Sequence, residues 1–376
     1  TGTGSGKTEC FMWPLLAKIV KEAKNQPNTW QKRGIRTIIM YPMNALVSDQ
    51  VSRLRKLLGD QEGKFIDIFR KFCGNKSRRP QFGMYTGRTP YPGSEPNKTA
   101  DDKLRKTLQR LDRQDDKDNS YLELLEKEGK IPAKNNLHLF LEQLKIDVHK
   151  PDPEDAELLT RFEMQQYCPD ILITNYSMLE YMLLRPIEKK IWKDTKEWLN
   201  SSPDNKLLFI IDEAHMYRGS AGGEVALLLR RLFYKLGIER NRVQFILTTA
   251  SMPRKSEKDK ESIVRFFQEL TAADQTNFVY LTGNQKKLNQ KQVYEIPTAK
   301  FKNVDFEVFE HDEAAKLGCL NQFWNGIPGR ESDFSSCNEA SEWMYDNLIH
   351  YRPFLQLFEL CRGEAVSLNE LAMKIF

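Results

Sequence analysis

Thr1-Gly2-Thr3-Gly4-Ser5-Gly6-Lys7-Thr8, followed at once by a helical pattern with apolar residues at Phe11, Leu15, Leu16, Ile19 and Val20, is the stretch from which the fold is read. The glycines let backbone N–H groups turn inward and approach an anion closely, a helix starting near Lys7 adds its N-terminal dipole, and the Lys7 ammonium reaches β- and γ-phosphates. Thr8 supplies a hydroxyl for Mg²⁺. The spacing is that of a P-loop, except that Thr1 stands where the general pattern has its first glycine. A flexible Gly/Ser tail does not usually end in Gly-Lys-Thr ahead of an amphipathic helix. Residues Gly2 to Thr8 are therefore the expected seat of ATP.

Working outward, Gly34 to Tyr41 reads as a strand ended by Pro42, and Met43 to Leu58 as a helix with Leu46, Val47, Val51, Leu54 and Leu57 on one face. Pro14 is expected in the first turns of the helix that follows the glycine loop, where a missing N–H is tolerated. Further strands are predicted at Gln81–Tyr85, Asp170–Thr174, Leu207–Ile211 and Val243–Leu247, with helices between them. Such alternation argues for a parallel sheet flanked by helices. Between the strands at 81–85 and 170–174 lie roughly eighty residues, too many for a structureless loop in a compact domain. A helical insertion over about 91–168 is expected there, with Leu122, Leu125, Leu137, Phe140, Leu141 and Leu144 buried. Helix Ile263–Leu270 and strand Phe278–Leu281 close the pattern, and from 284 to 376 a mainly helical extension is expected.

With 376 residues and 40% hydrophobic content, the chain can hold one large domain with additions, or two. Its apolar runs are far shorter than a membrane span and its N-terminus does not resemble a signal peptide, so a cytoplasmic protein without membrane partners is expected. The six cysteines lie far apart with no Cys-x-x-Cys pair, which argues against a zinc knuckle or a disulfide framework. Net charge is only +5, but Lys64, Arg70, Lys71, Lys76, Arg78, Arg79 and Arg88 are opposed within their stretch by Asp67 alone. A basic run is commonly a solvated face, and by itself this one favours nucleic acid weakly.

Leu207 to Ile211 is wholly apolar, as a strand buried on both faces should be, and runs into Asp212-Glu213-Ala214-His215. Polar tips at strand C-termini are where ligands bind in open α/β sheets. Together with the P-loop, Asp212 is placed to hold Mg²⁺ and Glu213 to polarise the water that attacks the γ-phosphate, while Lys7 neutralises charge on the phosphoryl oxygens. Taken alone, an Asp-Glu pair at a strand end is more often a solvated turn or cap. His215 has no second His or Cys at ligand spacing, so a hydrogen bond toward Thr248, Thr249 or Ser251 at the neighbouring strand tip is favoured over a metal role, and a purely structural histidine stays open.

In this order, residues 1–8, Tyr41-Pro42-Met43-Asn44-Ala45-Leu46-Val47-Ser48-Asp49-Gln50, Asp212-Glu213-Ala214-His215 and Thr248-Thr249-Ala250-Ser251 resemble motifs I, Ia, II and III of superfamily 2 DEAD/DEAH-box helicases. The stretches Asp170 to Pro186 and Asp212 to Gly219 look most like the bacterial DNA helicase branch that includes YprA/MrfA-type repair helicases, Lhr-like proteins and large phage-defence helicases. The resemblance covers about residues 1–283 and implies a RecA-like P-loop lobe that couples ATP and Mg²⁺ to movement along nucleic acid, DNA rather than RNA. It further implies that Pro42, Asn44, Gln50, Thr86, Gly87, Arg88, Asn175 and Tyr176 line a path for one strand, where hydroxyl, amide, guanidinium and backbone N–H groups suit phosphate oxygens. Thr248, Thr249 and Ser251 would couple nucleotide state to that path.

The third motif reads Thr-Thr-Ala-Ser where the usual core is Ser-Ala-Thr, which leaves Thr249 and Ser251 as alternatives for its coupling residue. The chain begins inside motif I and ends before a second RecA-like lobe, so an internal piece of a longer enzyme is expected, weak in ATP binding and poor in hydrolysis without arginines supplied from elsewhere. Two other readings remain at this stage. One is a P-loop ATPase that remodels protein; the other is a nucleotide-dependent nucleic-acid-binding module without motor activity.

Overall fold

The computed structural model describes residues 7–42, 44–59, 64–90, 98–112, 119–146, 149–249, 257–273, 278–281, 293–330, 332–361 and 366–375, with backbone alone at 7, 44–46, 119–120 and 257. The chain divides into two compact units, Thr1–Leu281 and Thr282–Phe376.

Six strands form the sheet of the first unit: β1 (Thr37–Tyr41), β2 (Phe82–Tyr85), β3 (Glu157–Leu158), β4 (Ile171–Asn175), β5 (Leu207–Ile211) and β6 (Val243–Leu247). All pair in parallel, in the order β3-β2-β4-β1-β5-β6. Helices connect them in chain order: α1 (Lys7–Asn25), α2 (Pro27–Trp30), α3 (Asn44–Leu58), α4 (Lys64–Cys73), α5 (Lys98–Gln109), α6 (Asn119–Lys127), α7 (Leu137–Lys145), α8 (Arg161–Gln166), α9 (Tyr176–Leu184), α10 (Lys189–Asn200), α11 (Ser220–Leu236) and α12 (Glu257–Thr271). Parallel strands need such crossovers, and helices on both faces explain why β1 and β5 are buried throughout.

Alternate residues of each strand feed opposite layers. Ile38, Met40, Leu172, Phe209 and Ile211 pack with Leu179, Trp192, Leu228 and Leu232 of α9 to α11. Ile39, Tyr41, Ile171, Ile173 and Ile210 pack with Phe11, Leu15, Val51 and Leu54 of α1 and α3. Each fully buried Leu, Ile or Phe contributes on the order of 1.5–3 kcal/mol, so these two layers dominate stability. At the N-terminal end of the strands sits a buried polar network. Arg36 bonds Glu22 through Nε and Nη2 at 3.2 and 2.9 Å, lies over Trp30 and Trp198, and approaches Asp170 at 3.4 Å. Arg78 grips the same Asp170 with both Nη atoms, at 2.7 and 2.6 Å. Burial raises the Asp170 carboxyl, but the Arg78 and Arg36 charges outweigh it and hold it below the usual carboxylate range.

The insertion is helical where expected. Leu108, Phe140, Leu141 and Leu144 form one small core of α5 and α7; Leu122, Leu125 and Ile131 form another under α6, while Leu137 is only partly covered. On its return the chain adds the short strand β3 to the edge of β2, which the acidic composition of that stretch had not suggested. The Lys64–Cys73 segment is likewise a helix, α4. Pro14 lies beyond the first turn of α1 and so forfeits the bond to the Cys10 carbonyl; both residues are exposed, where water replaces it. Residues 278–281 were expected as a strand but pair with no other strand among the described residues; Phe278 and Tyr280 turn inward while Val279 and Leu281 face out.

The second unit is mainly helical, with α13 (Thr298–Lys302), α14 (Phe306–His311), α15 (Glu313–Trp324), α16 (Cys337–Asn347), α17 (Arg352–Cys361) and α18 (Leu368–Ile375). Its core gathers Ile296, Trp324, Ile327, Phe334, Ala340 and Tyr351. Ser336 caps α16, and Ser367 accepts the Glu370 N–H at 3.3 Å at the start of α18.

Candidate functional site

Because every strand runs the same way and the register sets Tyr41 beside Asn175 and Met40 beside Ile211, the polar strand tips emerge along one edge of the sheet. β5 delivers Asp212 there, buried at 8% exposure. Its N–H continues the ladder to the Met40 carbonyl at 3.1 Å, and its Oδ1 accepts the Thr248 hydroxyl and, at 3.0 Å, the Glu213 N–H. Glu213 has φ 49°, a left-handed conformation that a non-glycine residue rarely adopts. The kink starts the 3₁₀ turn Ala214–Tyr217, and Ala214 N–H bonds the Thr248 carbonyl at 2.8 Å. Outliers of this kind concentrate where function over-determines the backbone.

His215 brings two tips together. Its Nδ1 lies 3.2 Å from Thr249 Oγ1 and 3.3 Å from Glu213 Oε2, so it accepts from the hydroxyl when unprotonated and donates to the carboxylate when protonated. Of the hydroxyls anticipated for it, Thr249 is the one it meets and Thr248 serves Asp212; Ser251 lies outside the described residues. Two tyrosines to which the sequence assigns no role of their own also face this corner. Tyr41 ends β1 and Tyr217 ends the 3₁₀ turn, both buried, and neither hydroxyl has a hydrogen-bond partner among the described residues. Burial, reinforced by the Asp212 charge, pushes both phenols up, so both stay neutral O–H donors.

Residues 1–6 of the glycine stretch lie outside the described residues, and of Lys7 only its place at the start of α1 is described. Thr8, one residue on, accepts a hydrogen bond from Gln50 Nε2 at 3.2 Å. Gln50, expected to face nucleic acid, is 5% exposed and turned toward the start of α1. Buried neutral donors beside a buried carboxylate and a threonine hydroxyl fit a phosphate-bearing ligand with its metal. Among the described residues no group of three or more His, Cys, Asp or Glu is arranged to hold a metal ion. Mg²⁺ needs no such cage, because it is typically held by one or two carboxylates together with substrate phosphates and water.

The tips of β2 and β4 differ in character. After β2, Thr86 is 1% exposed; its N–H bonds Thr89 Oγ1 at 2.9 Å and its Oγ1 accepts the Arg88 N–H at 3.2 Å. The turn therefore spends Thr86 on its own shape and presents Gly87 and Arg88 to solvent. Asn175 caps α9, its Oδ1 accepting Met178 N–H at 2.8 Å, and Tyr176 opens that helix half-buried. Pro42 follows β1 half-buried; Asn44 begins α3, its side chain outside the description. Much of the basic run is structural: Arg70 pairs with Glu154 at 2.6 Å, Arg78 with Asp170, and buried Arg79 donates to the Leu58 carbonyl at 2.6 Å. Arg88 remains exposed.

No helix among the described residues is long and apolar enough to cross a membrane. Over 403 aligned positions the chain is 37% identical to Druantia protein DruE of Escherichia coli (strain UMEA 4076-1), a match covering 100% of this chain and 21% of that protein. The chain thus spans about a fifth of that relative's length. The crystal structure of the DUF1998 helicase MrfA is similar at 19% identity and a TM-score of 0.34, over 72% of this chain and 26% of that one. Residues 1–112 and 133–259 match the DEAD/DEAH box helicase family. With an all-parallel sheet, Asp-Glu-Ala-His at the tip of β5 and a family match over well more than half its length, this chain belongs to the DEAD/DEAH box helicases and carries their nucleotide-binding α/β lobe.

Proposed function

We propose that this lobe binds Mg·ATP at the tips of β1, β5 and β6 and uses its hydrolysis to drive a DNA translocase or helicase, in concert with a second RecA-like lobe elsewhere in the full-length protein. The observation that carries the reading is the buried Asp212 carboxylate, fastened to Thr248 on the neighbouring strand and flanked by neutral phenols. In this reading Gly2 to Thr8 cradle the phosphates, Thr8 and Asp212 hold the metal, and Lys7 offsets charge on the transferring oxygens. A Mg²⁺ held by Thr8 and Asp212 would supply Lewis-acid polarisation of the phosphoryl group. Glu213 orients and deprotonates the attacking water, from a backbone held in the left-handed region at φ 49°. His215 relays the state of Glu213 to Thr249, because a proton on Nδ1 favours the carboxylate and its absence favours the hydroxyl.

Gly87 and Arg88, with Pro42, Asn44, Asn175 and Tyr176 along the same sheet edge, supply groups suited to a sugar–phosphate backbone rather than to base edges. DNA rather than RNA, and service in DNA repair or phage defence, follow the resemblance of the Asp170–Pro186 and Asp212–Gly219 stretches. ATP hydrolysis by the full-length protein, measured with and without single-stranded DNA or RNA, tests the proposal. Stimulation by DNA supports it, and a rate indifferent to both nucleic acids overturns it in favour of an ATPase acting on protein.

A further inference from the structure

Arg161, the first residue of α8, is 3% exposed and directs its charge into the back of the Thr86–Thr89 turn. Nη2 donates to the Thr86 carbonyl at 2.8 Å, the guanidinium lies 5.0 Å from the centre of the Tyr85 ring, and the backbone N–H donates to the Pro90 carbonyl at 3.3 Å. Among the described residues no carboxylate forms an ion pair with it, and its Nε has no partner. The buried Glu188 carboxylate, hydrogen-bonded to the Tyr85 hydroxyl at 2.8 Å, favours the Arg161 cation by its charge without pairing with it directly, so a hydrogen bond to the turn rather than an ion pair holds the guanidinium in place. Thr160 and Glu163 hold it through a complete capping box at the start of α8. Glu163 in turn pairs with Lys134, whose buried ammonium also meets Asp155 at 2.9 Å. Lys134 belongs to the insertion, which is seated on α3 as well: Arg55 donates to the Lys130 carbonyl at 3.1 Å, and Gly129 packs so closely that a Cβ there would lie 2.2 Å from the Ser52 carbonyl oxygen. Residues 113–132 fall outside the family match, so the piece bearing Gly129 is an addition to the shared lobe.

We propose that Arg161 is a positioning residue for nucleic acid: it fixes the turn that projects Arg88, and the insertion sets the grip of that turn through Lys134 and Glu163. The proposal rests on the reading of Arg88 as a backbone contact. The test uses the full-length protein and measures the half-saturating concentration of single-stranded oligo(dT) for ATPase stimulation at several salt concentrations. Arg88→Ala is expected to raise that concentration about three- to tenfold and to reduce the salt slope by about 0.7, the contribution of one phosphate on a single strand. Arg161→Met is expected to produce the same shift and the same loss of slope, although a buried charge releases no counterions itself, with the effect on half-saturation rather than on the rate at saturating DNA. Lys134→Met should move in the same direction by less. Arg161→Lys, which keeps the charge but not the planar fork, covers the case in which the methionine variant does not fold. It should weaken binding when Arg88 is present and change nothing in the Arg88→Ala background. Equal weakening in both backgrounds, or no weakening by Arg161→Lys where Arg88→Ala has an effect, overturns the positioning role. An Arg88→Ala protein that binds like the parent overturns the underlying contact instead.

Discussion

Replacing Gln50 by methionine separates two roles for one buried amide. Nε2 donates to Thr8 Oγ1 at 3.2 Å, while Oε1, also buried, finds no donor among the described residues. A neutral hydrogen bond of this kind contributes about 0.5–1.5 kcal/mol, and in the proposed reading losing it would release the Thr8 hydroxyl from its alignment toward the metal. ATP affinity should therefore fall roughly twofold to twelvefold. Stability should behave differently, because methionine has similar volume and removes an unsatisfied carbonyl oxygen whose burial costs about 1–3 kcal/mol. The melting temperature should hold steady or rise. Calorimetric titration with a non-hydrolysable ATP analogue gives the first quantity and thermal denaturation the second, with oligo(dT) affinity measured in parallel. Unchanged ATP affinity together with weakened DNA binding would show that Gln50 touches the nucleic acid, as the motif order alone suggested, and would refute the placement argued from its contact with Thr8.

Glu213→Gln keeps shape and hydrogen bonding but removes the base, so ATP binding should persist while hydrolysis by the full-length protein falls about 10²- to 10⁴-fold; a protein whose function survives that loss is a binding module and no motor. Asp170→Asn strips Arg78 of its paired carboxylate and leaves Arg36 with Glu22 alone, which should cost about 3–5 kcal/mol and lower the midpoint of thermal unfolding by roughly 10 °C. Because the folded Asp170 carboxyl is held below its unfolded value, its contribution is complete above about pH 4 and fades as pH falls further, so the gap between parent and variant should close in acid; a gap that widens there contradicts the pairing. Gly129→Ala places a Cβ against Ser52 at a backbone φ of 68°, and hydrogen exchange over 119–131 should accelerate at least tenfold while β1 and β5 keep their protection.

The elements most legible from residue pattern alone were those whose environment is uniform along their length. β5 is predicted at its observed limits because a strand covered on both faces has no polar interruption to blur its ends; β6 also meets its limits, although it lies at the sheet edge with Gln244 exposed. β3 escaped notice because two residues carry no periodicity; they are recruited by the edge of β2 and by the buried Glu157–Arg55 pair at 2.7 Å, a tertiary cause. Residues 278–281 failed in the opposite sense, since four apolar residues in succession met the pattern of a strand while no neighbour among the described residues completes its ladder. At the site, the acidic motif was legible because its chemistry needs those residue types in succession. Tyr41 and Tyr217 carry no separate signal in the sequence, and only their closeness to Asp212 gives their hydroxyls meaning. Arg78 and Arg79 counted toward a basic surface until Asp170 and the Leu58 carbonyl claimed them, and charge along a chain carries no sign of such partners. For Arg161 the Thr160-x-x-Glu163 signature marks where a helix starts, but nothing local says which turn that helix leans on.

The strand order has a mechanical corollary. Tips bearing Asp212 and Thr248 occupy adjacent columns on one flank, those bearing Arg88 and Asn175 occupy adjacent columns on the other, and β1 alone separates them. In the proposed reading, this single rib is what a displacement within the sheet would cross between hydrolysis and DNA. Its five residues are all buried, hemmed by helices above and below and by hydrogen-bonded neighbours left and right.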